Sequence, residues 1–290
     1  MFVHGSNLEQ KETHGTKYRD EEAKRYLAEI RQRYDAWKAA NLALVGPTKV
    51  ESDQDSATLA RRVALLNEYK DFIDQQHYAE KFDSRSNLHS SVLEEFMYYL
   101  FKDLVQSISS SALIGKSHTF KDIFFRADSY ADMLDTPTIM VEKKDHDFAI
   151  GVHVEASFKA KGQRAAAEVN VLDLPAVAVE CKTYLDKTML QDASTAAEII
   201  KHRNPNALYI VVAEWLKLTD AVNLRKFKID QIYVLRKQKN TDREFRYAAS
   251  YVKNPIFEDP VSHLFLSVRS FLTESWEGGV NHALTKGYLI

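Results

Sequence analysis

Glu180 and Lys182 flank the chain's only cysteine at the close of the apolar stretch AVAVECK, which begins at Ala176. An unpaired charge in a buried strand is costly, so a strand that ends in an acid and an amine needs a reason. With a side-chain period of two, Val177, Val179 and Cys181 share one face, and Ala178, Glu180 and Lys182 share the other. Upstream, Asp147 stands near the start of HDFAIGVHVEASF. There Phe148, Ile150, Val152, Val154, Ala156 and Phe158 alternate with Asp147, Ala149, Gly151, His153, Glu155 and Ser157. One carboxylate from each of two adjacent strands suits a hard divalent cation such as Mg²⁺. A lysine beside them orients or deprotonates an attacking water and offsets charge gathering on a phosphorane-like transition state.

The tripeptide Glu-x-Lys carries little information alone, since it recurs at Glu9, Glu22, Glu68 and Glu142. The first of these reads as a polar tail, the next two as helix and the last as a charged loop. Only Glu180-Cys181-Lys182 closes an apolar strand and leads into a helix, with an acidic strand residue upstream. A plain surface ion pair at a strand end is the competing reading, and Asp145 competes with Asp147 as the second acid. Cys181 has no paired histidine and lies on the apolar face, which makes it core filler rather than a nucleophile. Gly115-Lys116-Ser117 resembles the end of a phosphate-binding loop, but Ser110 occupies the position where that motif needs glycine.

The elements that must carry these residues follow from periodicity. Residues 1–85 read as helical, with one helix over Asp20–Ala43 and another over Ser56–Phe82; the region is assigned to accessory structure, dimer contact or a DNA clasp. From residue 86 to 290 the pattern is that of a core. Asn87 to Val105 forms an apolar helix whose stripe is Leu93, Phe96, Met97, Leu100 and Leu104. Glu94 lies at the edge of that stripe, and Glu95 points nearly opposite, toward solvent. AAEVNV reads as a returning strand before Pro175. A helix over Thr188–His202, capped by Asp186, leads to the strand ALYIVVAEW, then KIDQIYVLRK, and Pro260 opens a last helix. The fold class is therefore α/β, a mixed sheet flanked by helices behind a helical N-terminal region.

These residues resemble the PD-(D/E)xK nuclease superfamily through Glu94 on the first core helix, Asp147 in KDHD and Glu180-Cys181-Lys182. The resemblance runs from Asn87 to Val234; His146 stands where the pattern usually has proline. Within the superfamily, ECKTYLDKTML followed by NPNALYIVVAEW is similar to the BbvCI-type restriction endonucleases, Type II enzymes of two related subunits that each cut one strand of a short asymmetric site. The resemblance implies a restriction-endonuclease-like core with Asp147 and Glu180 as metal ligands. It implies Lys182 as base or transition-state stabiliser, and Glu94 as the helix acid that completes the site. It further implies Mg²⁺-dependent hydrolysis of duplex DNA, with Mn²⁺ as a substitute, leaving 5′-phosphate and 3′-hydroxyl ends. The implied partner is a second related subunit, in a heterodimer or a homodimer. A structure-specific repair or recombination nuclease of the same fold, and a non-catalytic DNA-binding subunit, are the alternative readings.

The net charge of −2 carries no nucleic-acid signature, so DNA contacts must come from local basic clusters. Lys116, His118, Lys121 and Arg126 are expected in a loop before the Asp147 strand, and Lys159, Lys161, Gln163 and Arg164 in a turn after it. Both flank the site and are favoured for phosphate and base contacts. A third cluster, Arg236, Lys237, Lys239, Arg243 and Arg246, lies further on. A single cysteine, a polar start and no apolar run of membrane length predict a cytoplasmic protein without a membrane partner.

Overall fold

The computed structural model describes residues 2–82, 87–135, 138–158, 168–240, 245–276, 283–285 and 287. Lys159, Lys161, Gln163, Arg164 and Arg243 lie outside the described residues, as does the 85/86 boundary.

Four helices precede the core: α1 (Val3–Glu12), α2 (Glu21–Ala43), α3 (Asp55–Ile73) and α4 (Gln76–Lys81). α2 starts where Asp20 accepts the Ala23 N–H at 3.0 Å, and it buries Leu27, Ile30, Tyr34 and Trp37 at helical spacing. The expected polar tail is in fact α1. Its inner face is His4, Gly5 and Leu8, a set with almost no apolar signal. The single helix expected over Ser56–Phe82 is broken at Asp74 and Gln75, where Asp74 turns inward to Lys70 and His89.

The core begins with α5 (Asn87–Ile108), continues through β1 (Leu113–Arg126), α6 (Tyr130–Asp135), β2 (Thr138–Phe158), β3 (Glu168–Leu185), α7 (Lys187–Arg203), β4 (Leu208–Leu216) and β5 (Gln231–Val234), and ends with α8 (Glu258–Thr273). Among the described residues the strands form one sheet in the order β1-β2-β3-β4-β5. β1, β2 and β3 are antiparallel, whereas β3, β4 and β5 run parallel, with α7 as the crossover between β3 and β4. The loop expected around Lys116 to Arg126 is β1, and the charged loop at Glu142 belongs to β2. AAEVNV and AVAVECK are not two strands, because β3 runs through Pro175. That proline is tolerated because the register shifts between Ile150 and Gly151 opposite it. Gly151 is required there, since a Cβ would collide with the Leu174 carbonyl.

The sheet has a helical layer on each face. On one, Phe148, Val177, Val179, Cys181 and Val212 pack with α5 and α8 in a cluster that extends without a break into α2 and α3. On the other, Ala178, Tyr209, Val211 and Ala213 meet the alanine face of α7, where small residues let helix and sheet approach closely. Each fully buried Leu, Val or Phe contributes roughly 1.5–3 kcal/mol, so α5, apolar over most of its circumference, is the pillar that fixes the rest.

Glu95 does not face solvent. It is fully buried, because α1 and α2 cover that side of α5. Its carboxylate accepts the N–H groups of His4 and Gly5 at 2.9 and 3.1 Å and the hydroxyls of Tyr34 and Tyr99 at 3.0 and 2.5 Å. A negative charge at a helix N-terminus is well placed, and here it pins α1 to α5.

Candidate active site

The sheet opens where β2 and β3 part beyond Phe148 and Val179, since the last pair in register is Phe148↔Val179. Asp147 and Glu180 are the next residues on each strand, and Lys182 follows on the same face as Glu180. The Lys182 ammonium donates to Glu180 Oε2 at 2.7 Å and lies 3.5 Å from Asp147 Oδ2. Asp147 Oδ2 also accepts the Cys181 N–H at 2.8 Å, which fixes the carboxylate at the mouth of the split. Asp145 is turned outward to His118, so Asp147 is the acid that reaches this point.

Glu94 approaches from α5. It lines the same cleft of about 300 Å³ as Asp147, Lys182 and Lys116, with Asn7 of α1 and Asn87 and Ser90 of α5 on its wall. Lys116 reaches the cleft because β1 carries an irregularity between Gly115 and Ser117, with Gly115 at φ 122°. A bulge of this kind re-aims one side chain, and here it brings the Lys116 ammonium to 3.7 Å from Glu94 Oε2. Glu94 Oε2 is buried and has no hydrogen-bond partner.

Electrostatics set the four groups apart. Burial pushes the Glu94 carboxyl up, and the Asp147 charge adds to the effect, against Lys116 and Lys182. Burial also raises Asp147, although Lys182 opposes it. Glu180 goes the other way: burial alone would raise it, but the His146 imidazole and the Lys182 ammonium hold it below the usual carboxylate range. Burial would lower Lys182, yet Asp147 and Glu180 outweigh it and raise the amine. Cys181 is buried and its thiol is pushed well up by burial, which leaves it inert core.

Behind Glu180 stand two residues whose part the sequence did not reveal. Tyr209 of β4 donates its hydroxyl to Glu180 Oε1 at 3.2 Å, and His146 Nδ1 lies 3.6 Å from the same oxygen, an electrostatic contact rather than a hydrogen bond. Neither ring nitrogen of the buried His146 has a hydrogen-bond partner. The signal for Tyr209 is its register opposite Ala178, which depends on strand pairing and is not visible along the chain.

Among the described residues the other basic candidates do not converge on this point. His118 pairs with Asp145, Lys121 with Glu142 at 2.8 Å, and Arg126 is exposed at the far end of β1. In the third cluster, Arg236 is buried against Glu214 at 3.1 Å and Arg246 is buried beside Trp215, while Lys237 and Lys239 pair with Asp259 and Asp220. The two buried arginines are structural, and the two lysines make exposed ion pairs.

A mixed sheet that splits at an acid pair and a lysine, with a helix acid across the cleft, defines a protein of the restriction-endonuclease class. The chain matches the model of the Bpu10I restriction endonuclease over residues 85–289 and belongs to that family. Among solved structures it is similar to a chain of "native BbvCI A2B2 tetramer at low resolution". The TM-score is 0.71 at 22% identity, covering 96% of this chain and 99% of that one, so the likeness in fold takes in the N-terminal helices. No curated protein matches it in sequence. No helix among the described residues is long and apolar enough to cross a membrane.

Proposed function

We propose that the chain is a Type II restriction endonuclease subunit that hydrolyses one strand of duplex DNA at a short specific sequence, paired with a second related subunit for double-strand cleavage. The observation that carries this reading is the meeting of Asp147, Glu180 and Lys182 where β2 and β3 part, facing Glu94. The carboxylates suit Mg²⁺, or Mn²⁺ in its place. All are hard oxygen donors, and the buried Glu94 Oε2 makes no hydrogen bond, its nearest cation being the Lys116 ammonium at 3.7 Å, which leaves it open as an acceptor. Among the described residues no three acids or histidines already form a cage. The Lys182 ammonium lies against both Asp147 and Glu180 and offsets part of their mutual repulsion.

Asp147 and Glu180 would hold the ion, with Glu94 completing its surroundings. Bound there, it would neutralise charge on the phosphate and lower the pKa of a water. Lys182 then orients that water or faces the charge that builds on the phosphate oxygens. The water oxygen bonds to phosphorus as the bond to the 3′ oxygen breaks. The phosphate remains on the 5′ end and the 3′ oxygen takes up a proton. Lys116, aimed into the cleft by its bulge, supplies a second positive charge for the same phosphate or its neighbour.

The chain with its partner should cut DNA into discrete fragments with Mg²⁺ and not with EDTA. A ladder of structure-dependent nicks would instead favour a repair-type nuclease, and no metal uptake in the presence of DNA a non-catalytic subunit. Tyr209→Phe, which removes only the hydroxyl behind Glu180, should weaken Mn²⁺ binding by about 10-fold or more, read by calorimetry with the metal alone. An unchanged affinity would show that Tyr209 has no part in holding Glu180 for the ion.

A further inference from the structure

His146 is fully buried, and both of its ring nitrogens go without a hydrogen bond. A buried polar group left unpaired works against folding and needs an explanation. Its place follows from the strand pairing. Gly115 stands opposite Ala149 and Ser117 opposite His146, so the one residue between on β1 faces two on β2. Strict alternation from Phe148, which packs in the α5 cluster, would put His146 on that same side. The extra residue breaks the alternation. The imidazole instead meets Tyr209, of the α7 cluster, edge-on with ring centroids 5.8 Å apart. It thereby comes beside Glu180.

The two oxygens of Glu180 are held unequally. Oε2 accepts from the ammonium of Lys182, a residue that lines the cleft, at 2.7 Å. Oε1 has the buried Tyr209 hydroxyl at 3.2 Å and His146 Nδ1 at 3.6 Å, the latter beyond hydrogen-bond range. The tautomer decides what His146 offers. With the proton on Nδ1, the atom 3.6 Å from Oε1 is a donor, and Nε2 is left as a bare acceptor. With the proton on Nε2, that N–H is orphaned and a nitrogen lone pair stands near a carboxylate. The first arrangement is favoured on both counts. Closing from 3.6 Å to an ordinary N–H···O distance of ~2.9 Å needs a shift of roughly 0.7 Å.

We propose that His146 is a positioning residue for Glu180, donating Nδ1–H to Oε1 when a divalent cation displaces Lys182 from Oε2. The inference rests on the nuclease reading above and adds to it a residue that touches neither metal nor substrate. In the unliganded chain Lys182 gives Glu180 its shortest contact, and the histidine stands idle. A divalent cation at Glu180 competes with the ammonium for the same oxygen, and like charges part. Glu180 then keeps only Tyr209 and His146, both on Oε1, to fix how it faces the cleft. The unpaired imidazole is thus a cost carried by the resting protein for a hydrogen bond made in the loaded one.

The test sets His146→Leu, close in volume but without a donor, beside His146→Asn, whose amide can put an N–H near the place of Nδ1. Calorimetric titration with Mn²⁺ alone and melting in EDTA are measured on the same full-chain preparations. His146→Leu should bind Mn²⁺ about 10-fold more weakly or worse. Its melting temperature in EDTA should equal or exceed that of the wild type, because an unpaired polar group has left the core. His146→Asn should recover most of the affinity. A leucine variant with wild-type affinity, or one whose melting temperature falls along with its affinity, would overturn the positioning role. Leucine and asparagine variants impaired alike would do the same, and each of these results leaves the nuclease reading standing. A wild-type chain that takes up no Mn²⁺, alone or with duplex DNA, and cuts none would overturn both.

Discussion

Lys182→Ala is expected to retain duplex binding and lose cleavage by about a thousandfold or more, close to 4 kcal/mol of transition-state stabilisation. Among the described residues Lys182 is the one cation in contact with both Asp147 and Glu180, at 3.5 and 2.7 Å, and it is more than two-thirds shielded from solvent. On the proposed reading, removing it deletes the donor that would face the reacting phosphate, and it leaves Asp147 and Glu180 without their shared cation. Those carboxylates should then take up Mn²⁺ at least as tightly as before, so metal uptake and cleavage part company in this variant. Asp147→Ala differs in a measurable way, because it should lose metal uptake and cleavage together. Single-turnover cleavage and calorimetry on the same preparations distinguish the two, and wild-type cleavage by Lys182→Ala would sink the assignment.

The legible part of this site is the part that obeys a single local rule. Glu180 and Lys182 sit on a strand so apolar that its period of two sorts them onto one face. Asp186 caps the following helix by accepting the Met189 N–H at 2.9 Å, as its position suggested. What stayed hidden is organised by polar contacts between distant segments. The inner face of β1 is Leu113, Gly115, Ser117 and Thr119, so the strand has no apolar stripe to announce it. Ser117 is buried by its bond to Asp173 at 2.8 Å, a partner 56 residues away. With β1 unseen and β3 divided at Pro175, the expected order of elements had three strands before the crossover helix for the wrong reason.

α5 illustrates the same limit from within one helix. A helical wheel assigns the apolar stripe to the core and the opposite face to water, which holds only when a single layer covers the helix. α5 is covered twice, by the sheet and α8 on one side and by the N-terminal helices on the other. Leu88, Val92, Tyr99 and Val105 are therefore as deeply buried as Phe96 and Phe101. Two consecutive acids are sent to different tasks: Glu94 to the cleft, Glu95 to the anchor of α1.

That anchor carries the second large effect. Glu95→Ala should destabilise the protein by about 3–5 kcal/mol, because it strips a buried carboxylate from four donors and leaves them unpaired. In this chain those donors are the His4 and Gly5 N–H groups and the Tyr34 and Tyr99 hydroxyls. Burial raises the Glu95 carboxyl and those four donors pull it back, so both halves of the balance vanish together in the alanine variant. Glu95→Gln should cost less, because one oxygen remains as an acceptor, but its amide must face donors at the other position. Two readouts follow, a lower melting temperature and loss of amide protection in α1 before the rest of the chain. If α1 stays protected and the melt does not move, the carboxylate is not the anchor. If α1 does loosen, Asn7 leaves the wall of the cleft. Cleavage should then fall although the Glu95 carboxylate bonds none of the cleft-lining side chains, its partners being His4, Gly5, Tyr34 and Tyr99.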